Sequence, residues 1–301
     1  MAKKQFVGLA PAVWAVIAVL IVVVGLGAYV VGHSRGASTQ AAATSAVGTA
    51  EAVASDASDS EDFAAAGEGS IKPVADVDVI DPFIMGPSGD IESEADVLKV
   101  HRRNAKDPFA IGAIDAPVVI SEFSDFECPY CALYTNGAHK QIVEEYVAKG
   151  LVRIEWNDFP INGADAVAAA KAGRAAAAQG KFYEFHDALY KASANVQGHP
   201  ENKIDDFVRF AEDAGVPDIA KFREQATDGT YDAVIQDAQN YGDSLGIKGT
   251  PSAFIGTQFI SGAQPIEVFR EVINGELVKA KNMQASAATT SAAASTTAVR
   301  K

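Results

Sequence analysis

The sequence predicts an α/β fold built from a β-α-β unit, a run of helices and a second group of strands. Residues 117–123 are apolar and rich in β-branched side chains, as expected of a buried strand. A helix-forming stretch follows at residues 129–149, and residues 151–156 alternate in polarity as a strand does. A strand, a helix and a strand in this order predict parallel strands joined by a right-handed crossover.

The rest of the domain is predicted to be helical and then to form a hairpin. Amphipathic patterns predict four or five helices, at residues 164–179, 182–192, 204–214, 218–226 and 231–245. Strand patterns return at residues 252–255 and 258–260, and the Gly256-Thr257 pair between them predicts a hairpin. A last helix is expected over residues 265–281, and the Ala/Ser/Thr-rich residues 283–301 are expected to form a disordered tail.

The only two cysteines lie at the turn between the first strand and the first helix, as Cys128-x-x-Cys131. A helix N-terminus offers unpaired N–H groups and a partial positive charge, which favour a thiolate over a thiol. Pro129 suits the first helical position, where its missing N–H costs nothing. Cys128 is therefore the predicted nucleophile toward disulfides, and Cys131 is close enough to resolve the mixed disulfide.

Two other interpretations of the cysteine pair stay open at this point. A zinc site needs two further ligands, and the five histidines show no paired metal-ligand spacing, so no metal is predicted. An inert disulfide across so short a loop would constrain little of the unfolded chain. Redox chemistry is the favoured interpretation, and it requires no cofactor beyond the two thiols.

The residues around the cysteines resemble the active-site segment of the DsbA-like thioredoxin-fold oxidoreductases, particularly their membrane-anchored Gram-positive branch. They are Glu-Phe-Ser-Asp-Phe-Glu-Cys-Pro-Tyr-Cys at 122–131. Three further segments match the family in the right order: Trp-Asn-Asp-Phe-Pro at 156–160, Gly-Lys-Phe-Tyr-Glu-Phe-His-Asp-Ala-Leu-Tyr at 180–190, and Gly-Ile-Lys-Gly-Thr-Pro-Ser-Ala-Phe-Ile at 246–255. Four matches in order are far more specific than the cysteine pair alone.

The resemblance implies a thioredoxin fold over residues 106–282, with an inserted helical domain at about 163–246. It also implies that Glu122, six residues before the first cysteine, is a buried acid that exchanges a proton with the resolving thiol. A solvent-facing carboxylate at the sheet edge is the alternative, because the apolar neighbours of Glu122 leave its direction open. Asp125 and Glu127 are expected at the surface.

By the same resemblance, the Thr250-Pro251 bond is expected to be cis, although only about 5–6% of X-Pro bonds in folded proteins are cis. Thr250 would then face the thiols and offer its N–H and C=O groups to an extended client chain. Pro129 and Tyr130, between the cysteines, are expected to contact the same client.

Residues 7–32 form an uncharged and strongly apolar stretch, long enough for a single tilted transmembrane helix. A cleavable signal peptide is the alternative, although its apolar core usually has only about 7–15 residues. Lys3 and Lys4 precede the stretch and Arg35 follows it. This charge pattern predicts a cytoplasmic tail at residues 1–6 and an extracytoplasmic C-terminal domain anchored in the cell membrane.

The net charge of −14 is concentrated between the apolar stretch and the predicted domain. Residues 33–70 are rich in Ala, Ser, Thr and Gly with scattered acids, which predicts a flexible linker. Residues 71–105 are predicted to be an N-terminal extension in which residues 93–103 favour a short helix capped by Ser93. The acidic balance argues against nucleic acid as a partner.

The resemblance implies a thiol-disulfide oxidoreductase that donates the Cys128–Cys131 disulfide to reduced exported proteins. A membrane or small-molecule oxidant would then reoxidise it. The family's strongest oxidants often carry Pro-His between the cysteines, whereas this chain carries Pro129-Tyr130. This difference favours a milder potential, so a reductase or isomerase is the alternative function. A non-catalytic thioredoxin-fold binding module is the third interpretation.

Overall fold

The structure, a computed structural model, describes residues 91–298, with side chains through residue 286. The first ninety residues lie outside the described part of the chain, and with them the predicted tail, transmembrane anchor, linker and first half of the extension. Within residues 91–298, none of the helices has the length and hydropathy that a membrane span requires.

A five-stranded mixed sheet forms the centre of the domain, in the order β1-β3-β2-β4-β5. Its strands are β1 (Ala110–Ile111), β2 (Val118–Ser124), β3 (Val152–Asp158), β4 (Ser252–Ile255) and β5 (Gln258–Ser261). The predicted parallel pairing of β2 with β3 is confirmed, and the other three pairs are antiparallel. The predicted hairpin is also confirmed as β4 and β5. The two-residue strand β1 was not predicted, because so short a segment carries no periodicity.

Strand β2 lies in the middle of the sheet, and all seven of its residues are buried. Ile120 pairs with Ile154 on one side and with Ile255 on the other, and these three side chains belong to the main hydrophobic core. Phe123 belongs to a second, smaller core together with Phe254. The two faces of β2 are therefore covered by different sets of side chains.

Nine helices accompany the sheet in the described part of the chain. They are α1 (Glu94–Leu98), α2 (Pro129–Tyr134), α3 (Lys140–Ile142), α4 (Ala164–Ala177), α5 (Phe182–Ser193), α6 (Ile204–Asp213), α7 (Ile219–Thr227), α8 (Asp232–Ser244) and α9 (Ile266–Ala298). Helices α4 to α8 lie between β3 and β4, as the amphipathic patterns predicted.

Three helices differ from the prediction. Helix α1 ends at Leu98 rather than near residue 103. The single helix expected over residues 129–149 is divided by π-helical turns at Thr135–His139 and Val143–Val147, and the first turn contains the Asn-Gly pair at 136–137. Helix α9 was expected to end near residue 281 and to be followed by a disordered tail, but it continues to residue 298. The tail is rich in alanine, the strongest helix former, and it holds neither glycine nor proline to end the helix.

The described part of the N-terminal extension packs into the domain. Ser93 caps α1 as predicted, since its side chain accepts a hydrogen bond from the N–H of Asp96 at 3.3 Å. Val97 and Val100 are buried in the second core beside Phe123. The domain therefore begins before residue 106, where the sequence had placed its boundary.

Buried charged side chains join the N-terminal extension to β3 through hydrogen bonds. The Arg102 guanidinium donates to Asp107 at 2.6 Å and to the main-chain oxygen of Trp156 at 2.8 Å. The Glu155 carboxylate accepts from the main-chain N–H of Arg102 at 2.7 Å and from the Arg153 side chain at 2.7 Å. The polar side of β3 thus faces charged partners rather than water.

Candidate active site

Strand β2 and helix α2 place both cysteines at one turn. Cys128 is the N-cap residue of α2, with φ −81° and ψ 121°, and Pro129 occupies the first turn of the helix. The N–H of Cys128 donates to the carbonyl of Asp125 at 3.0 Å, which fixes the turn ahead of the helix. Both cysteines are free thiols, and Cys131 is fully buried whereas Cys128 retains 6% of its exposure.

The two thiols differ strongly in acidity. The pKa of Cys128 is lowered to about 6, chiefly because its sulfur accepts a hydrogen bond from Cys131, and burial opposes this shift. The Thr250 side chain and the backbone N–H groups of Cys131 and Tyr130 add to the lowering. The pKa of Cys131 is raised well above its usual value, first by burial and then by the neighbouring Cys128. Near neutral pH, Cys128 is therefore the thiolate of the pair and Cys131 the protonated thiol.

The loop before β4 closes the site from the opposite side. The Thr250-Pro251 peptide bond is cis, as expected. The Cys128 thiol donates to the main-chain oxygen of Thr250 at 3.4 Å. The Thr250 hydroxyl is buried, and its interaction with the Cys128 sulfur favours the ionised form of that sulfur.

Glu122 is buried, so the solvent-facing alternative is wrong. It lies near the end of β2, retains 1% of its exposure, and its Oε1 atom has no hydrogen-bond partner. Burial raises the pKa of Glu122 to about 8, and a hydrogen bond with Ser124 opposes this shift only in part. A small cavity lined by Glu122, Tyr134 and Pro251, among others, connects the carboxyl group with the loop of the cis bond.

Asp125 and Glu127 are buried too, which corrects their expected place at the surface. Each retains 1% of its exposure. Asp125 Oδ2 accepts from the N–H groups of Ile161 and Asn162, at 2.9 and 3.0 Å, and from the Asn162 side chain at 2.7 Å. Glu127 accepts from two N–H groups of a distant loop. The reason for their burial is that both carboxylates satisfy backbone groups that α-helices and strands leave unpaired.

Aromatic packing supports the turn from behind. The Phe126 ring stacks on Trp156 with centroids 4.8 Å apart and contacts Tyr190 at 5.4 Å. The Tyr190 hydroxyl donates to the Asp125 carbonyl at 3.1 Å. Gly173 on α4 is required for this packing, because a Cβ atom there would lie 2.8 Å from the Phe126 ring.

The structure thus brings together all the residues that the sequence singled out. Cys128 contacts Cys131 and Thr250, and the buried Glu122 lines one small cavity with Pro251. Pro129 is half-buried, and Tyr130 is the most open residue of the turn, with 64% of its surface exposed.

Other residues of the site were not predicted from the sequence. The Ser124 hydroxyl interacts with both Glu122 and Cys131, and His199 contacts the turn from the helical insertion. The position of Ser124, two residues after Glu122 on the same strand face, was a usable signal. His199 gave none. Within residues 91–298, no three His, Cys, Asp or Glu side chains gather as metal ligands.

The comparison with protein families gives one match that covers more than half of the chain. A family model described as Thioredoxin matches residues 104–275. This range contains both cysteines and the loop of the cis bond.

Curated relatives fall into two groups. The probable disulfide bond formation protein D of Bacillus cereus is 28% identical over 151 residues, which are 48% of this chain and 68% of the relative. Disulfide bond formation protein D of Bacillus subtilis is 21% identical over 178 residues, 56% of this chain and 76% of the relative. The Na(+)/H(+) antiporter NhaA 3 of Salinispora tropica is 30% identical over 172 residues, 56% of this chain. The chain spans only a quarter of that antiporter's length.

Solved structures show the same fold. Oxidised BdbD from Bacillus subtilis superposes with a TM-score of 0.53 at 20% identity, over 58% of this chain and 95% of that chain. The alpha-DsbA1 protein of Wolbachia pipientis gives a TM-score of 0.50 at 20% identity, over 57% and 92%. The predicted thioredoxin-fold α/β domain is therefore confirmed. The resemblance agrees with the names of the Bacillus relatives, disulfide bond formation protein D. The match of the family model shows that this chain belongs to the thioredoxin family.

Proposed function

We propose that this chain is an extracytoplasmic thiol-disulfide oxidoreductase that donates the Cys128–Cys131 disulfide to reduced exported proteins. The opposite pKa shifts of the two thiols carry the proposal. A thiolate stabilised at Cys128 is a good leaving group, so a disulfide that involves its sulfur is readily exchanged. Of the two cysteines, only Cys128 has any exposure, so a client meets its sulfur first.

The exchange proceeds through a mixed disulfide. A client thiolate attacks the Cys128 sulfur of the oxidised pair, and Cys131 leaves as a thiolate that takes up a proton. A second client thiolate then attacks the client sulfur of the mixed disulfide, and Cys128 leaves as the stabilised thiolate. The client loses two electrons to the cysteine pair. A membrane or small-molecule oxidant must remove them to regenerate the disulfide.

Glu122 is the proposed proton donor to Cys131. A carboxyl group with a pKa of about 8 is mostly protonated at neutral pH, so it holds a proton where the Cys131 thiolate is released. The Ser124 hydroxyl interacts with both groups and offers a link between them. During reoxidation the proton returns by the same route.

The client is proposed to bind as an extended chain beside the loop of the cis bond. Thr250 would pair its main chain with the client, and Pro251 would hold that main chain in place. Pro129 and the exposed Tyr130 would contact the client residues that flank its cysteine.

The cellular setting of this reaction is proposed from the N-terminal sequence. A transmembrane helix at residues 7–32 would place the domain outside the cytoplasm, where exported proteins need disulfides. The names of the Bacillus relatives, disulfide bond formation protein D, support the same role.

Replacing the resolving cysteine tests the proposal. In C131S, the Cys128 thiolate can attack a client disulfide, and one client sulfur leaves as a thiolate. No second enzyme thiol can then release Cys128, so the adducts should accumulate in cells. Non-reducing gels should show these adducts and lose them after reduction, and C128S/C131S serves as the control without a nucleophile. If C131S forms no adducts with exported proteins, disulfide exchange between Cys128 and these proteins is contradicted, and with it the proposed donation.

The acidity of Cys128 favours one alternative, a reductase or isomerase. The attacking cysteine has a pKa of about 7 in thioredoxin and about 3.5 in DsbA, and the pKa of about 6 at Cys128 lies nearer to that of thioredoxin. Alkylation of the pair in intact cells separates the two directions: a mostly oxidised pair supports donation, and a mostly reduced pair supports reduction. A purified chain that fails to react with a dithiol would leave only the non-catalytic binding module.

A further inference from the structure

Glu127, the residue just before the nucleophile, is held by a loop of the helical insertion. Its Oε2 atom accepts from the N–H of Glu201 at 2.6 Å, and its Oε1 atom accepts from the N–H of Asn202 at 3.2 Å. Both donors belong to residues 194–203, which join α5 to α6 and are called the insertion loop below. The Glu127 carboxylate therefore points toward this loop.

A second contact joins the insertion loop to the main chain at the same place. The His199 Nδ1 atom lies 2.8 Å from the carbonyl oxygen of Glu127. Because a carbonyl only accepts, Nδ1 carries the proton in this contact. That carbonyl belongs to the peptide group whose N–H, on Cys128, donates to Asp125 at 3.0 Å. The peptide group that leads into the nucleophile is thus held at both of its polar atoms.

The backbone of the loop is shaped for these contacts. Glu201 has a φ of +53°, a left-handed conformation that residues other than glycine rarely adopt. Such a conformation persists where the surroundings impose it, and at Glu201 the strained residue donates its N–H to the Glu127 carboxylate. The side chain of Val196, in the same loop, keeps 41% of its surface exposed.

We infer that Glu127 and His199 are positioning residues, which together clamp the insertion loop to the peptide group that bears Cys128 and so set how a polypeptide client reaches the sulfur. The inference rests on the proposed function. A polypeptide that reaches Cys128 must also pass the insertion loop, which contacts the preceding residue, whereas a small dithiol needs only the sulfur. Loosening the clamp should therefore weaken exchange with proteins much more than exchange with small dithiols.

Two substitutions of His199 form a matched pair. In H199N the side-chain amide nitrogen takes the position of Nδ1 and can still donate to the Glu127 carbonyl. In H199Q the amide nitrogen corresponds to Nε2, which does not make this contact. His199 is exposed, so both variants should fold. R223A, which breaks the exposed pair of Arg223 with Asp205 elsewhere in the insertion, is the control.

The measurement compares the full-length chain and its variants in oxidising a reduced, unfolded model protein and in reacting with dithiothreitol. For the protein, H199Q should raise KM by about tenfold, the effect of losing one hydrogen bond of about 1.4 kcal/mol, and H199N should restore it. The rate with dithiothreitol should change by less than about twofold, because the groups that stabilise the Cys128 thiolate are untouched. R223A should match the wild type in both reactions.

Substitutions of Glu127 test the other half of the clamp. E127A removes both acceptors and E127Q keeps one, so the loss should be larger in E127A. Hydrogen exchange at the amides of residues 201 and 202 should accelerate in the same order, whether or not the chain is active.

Three results would overturn the inference: equal KM values in H199N and H199Q, equal losses with the protein and with dithiothreitol, or unchanged amide exchange in E127A. A wild-type chain that oxidises no thiol would instead overturn the proposed function. If the wild-type chain is active, and H199Q leaves the ratio of the rate with the protein to the rate with dithiothreitol unchanged, only the clamp is overturned.

Discussion

Glu122 is a carboxyl group held where water cannot solvate its charge. Its pKa is about 8 in the folded chain and about 4.5 in a solvated one. Between these values the folded state keeps a proton that the unfolded state has released, so stability falls as the pH rises from 4.5 to 8. The slope reaches roughly 1.4 kcal/mol per pH unit at most. Above this window no further loss is expected.

Glu122→Gln removes this titration and should therefore stabilise the fold more at pH 8 than at pH 5. The free energy of unfolding in urea, measured for E122Q and its parent at pH 5 and pH 8, tests this prediction. Both cysteines are replaced by serine in all samples, so that Cys128 does not titrate. E145Q is the control. Arg270 lowers the pKa of Glu145, so E145Q should change the free energy of unfolding by the same amount at pH 5 and at pH 8. Parallel pH profiles of E122Q and its parent would contradict the burial of this charge.

The candidate site shows what single residues reveal in the sequence. Cys128 and Cys131 are recognisable because their chemistry depends on residue type and local spacing, whereas Pro251 is recognisable only through the family resemblance of residues 246–255. Asp125 and Glu127 are different, since an acid in a loop is most often solvated, and their burial depends on backbone donors far along the chain. His199 lies 72 residues from its partner, Glu127, so no local pattern predicts their contact.

At the scale of elements, residues 102–107 precede β1 and are called the strap below. Their buried charged side chains hold them against β3. The Arg102 side chain is 3% exposed and its partner Asp107 is fully buried. Removing one member of a buried ion pair leaves the other charge without compensation, which costs about 3–5 kcal/mol.

Arg102→Ala should accordingly destabilise the domain by about 3–5 kcal/mol, because Asp107 and Glu155 both lose a cationic partner. Urea unfolding measures the loss. Arg209→Ala breaks an ion pair whose two side chains are 58% and 36% exposed, and it should have little effect. Equal stability of the two variants would show that the strap does not depend on its charges.

The elements themselves were largely predictable. Long segments with clear periodicity, such as α4 to α8 and the β4–β5 hairpin, were placed to within a few residues. The failures have physical causes. Strand β1 is determined by its pairing with β3 rather than by its own sequence. The alanine-rich end of α9 has a high helix propensity, but its low complexity led to the prediction of disorder.

At the scale of the whole molecule, every residue assigned to the site lies between residues 122 and 251. The anchor and linker predicted for residues 1–70 should therefore act only as a tether. A chain that begins at residue 71 should oxidise a reduced model protein at the rate of the full-length chain, with C128S/C131S as the inactive control. A large loss of activity would show that the predicted linker takes part in the reaction.

The contact between Cys128 and Thr250 joins residues that are 122 positions apart. At synthesis rates of about 5–20 residues per second, the second partner follows the first by roughly ten seconds. Until then the two thiols lack the loop that covers them, and β2 lacks β4 as a neighbour. A growing chain is thus chemically equivalent to a reduced client during that interval. Under the proposed function, finished copies of this protein can oxidise the next copy as it emerges, in addition to the oxidant that regenerates the pair after each turnover.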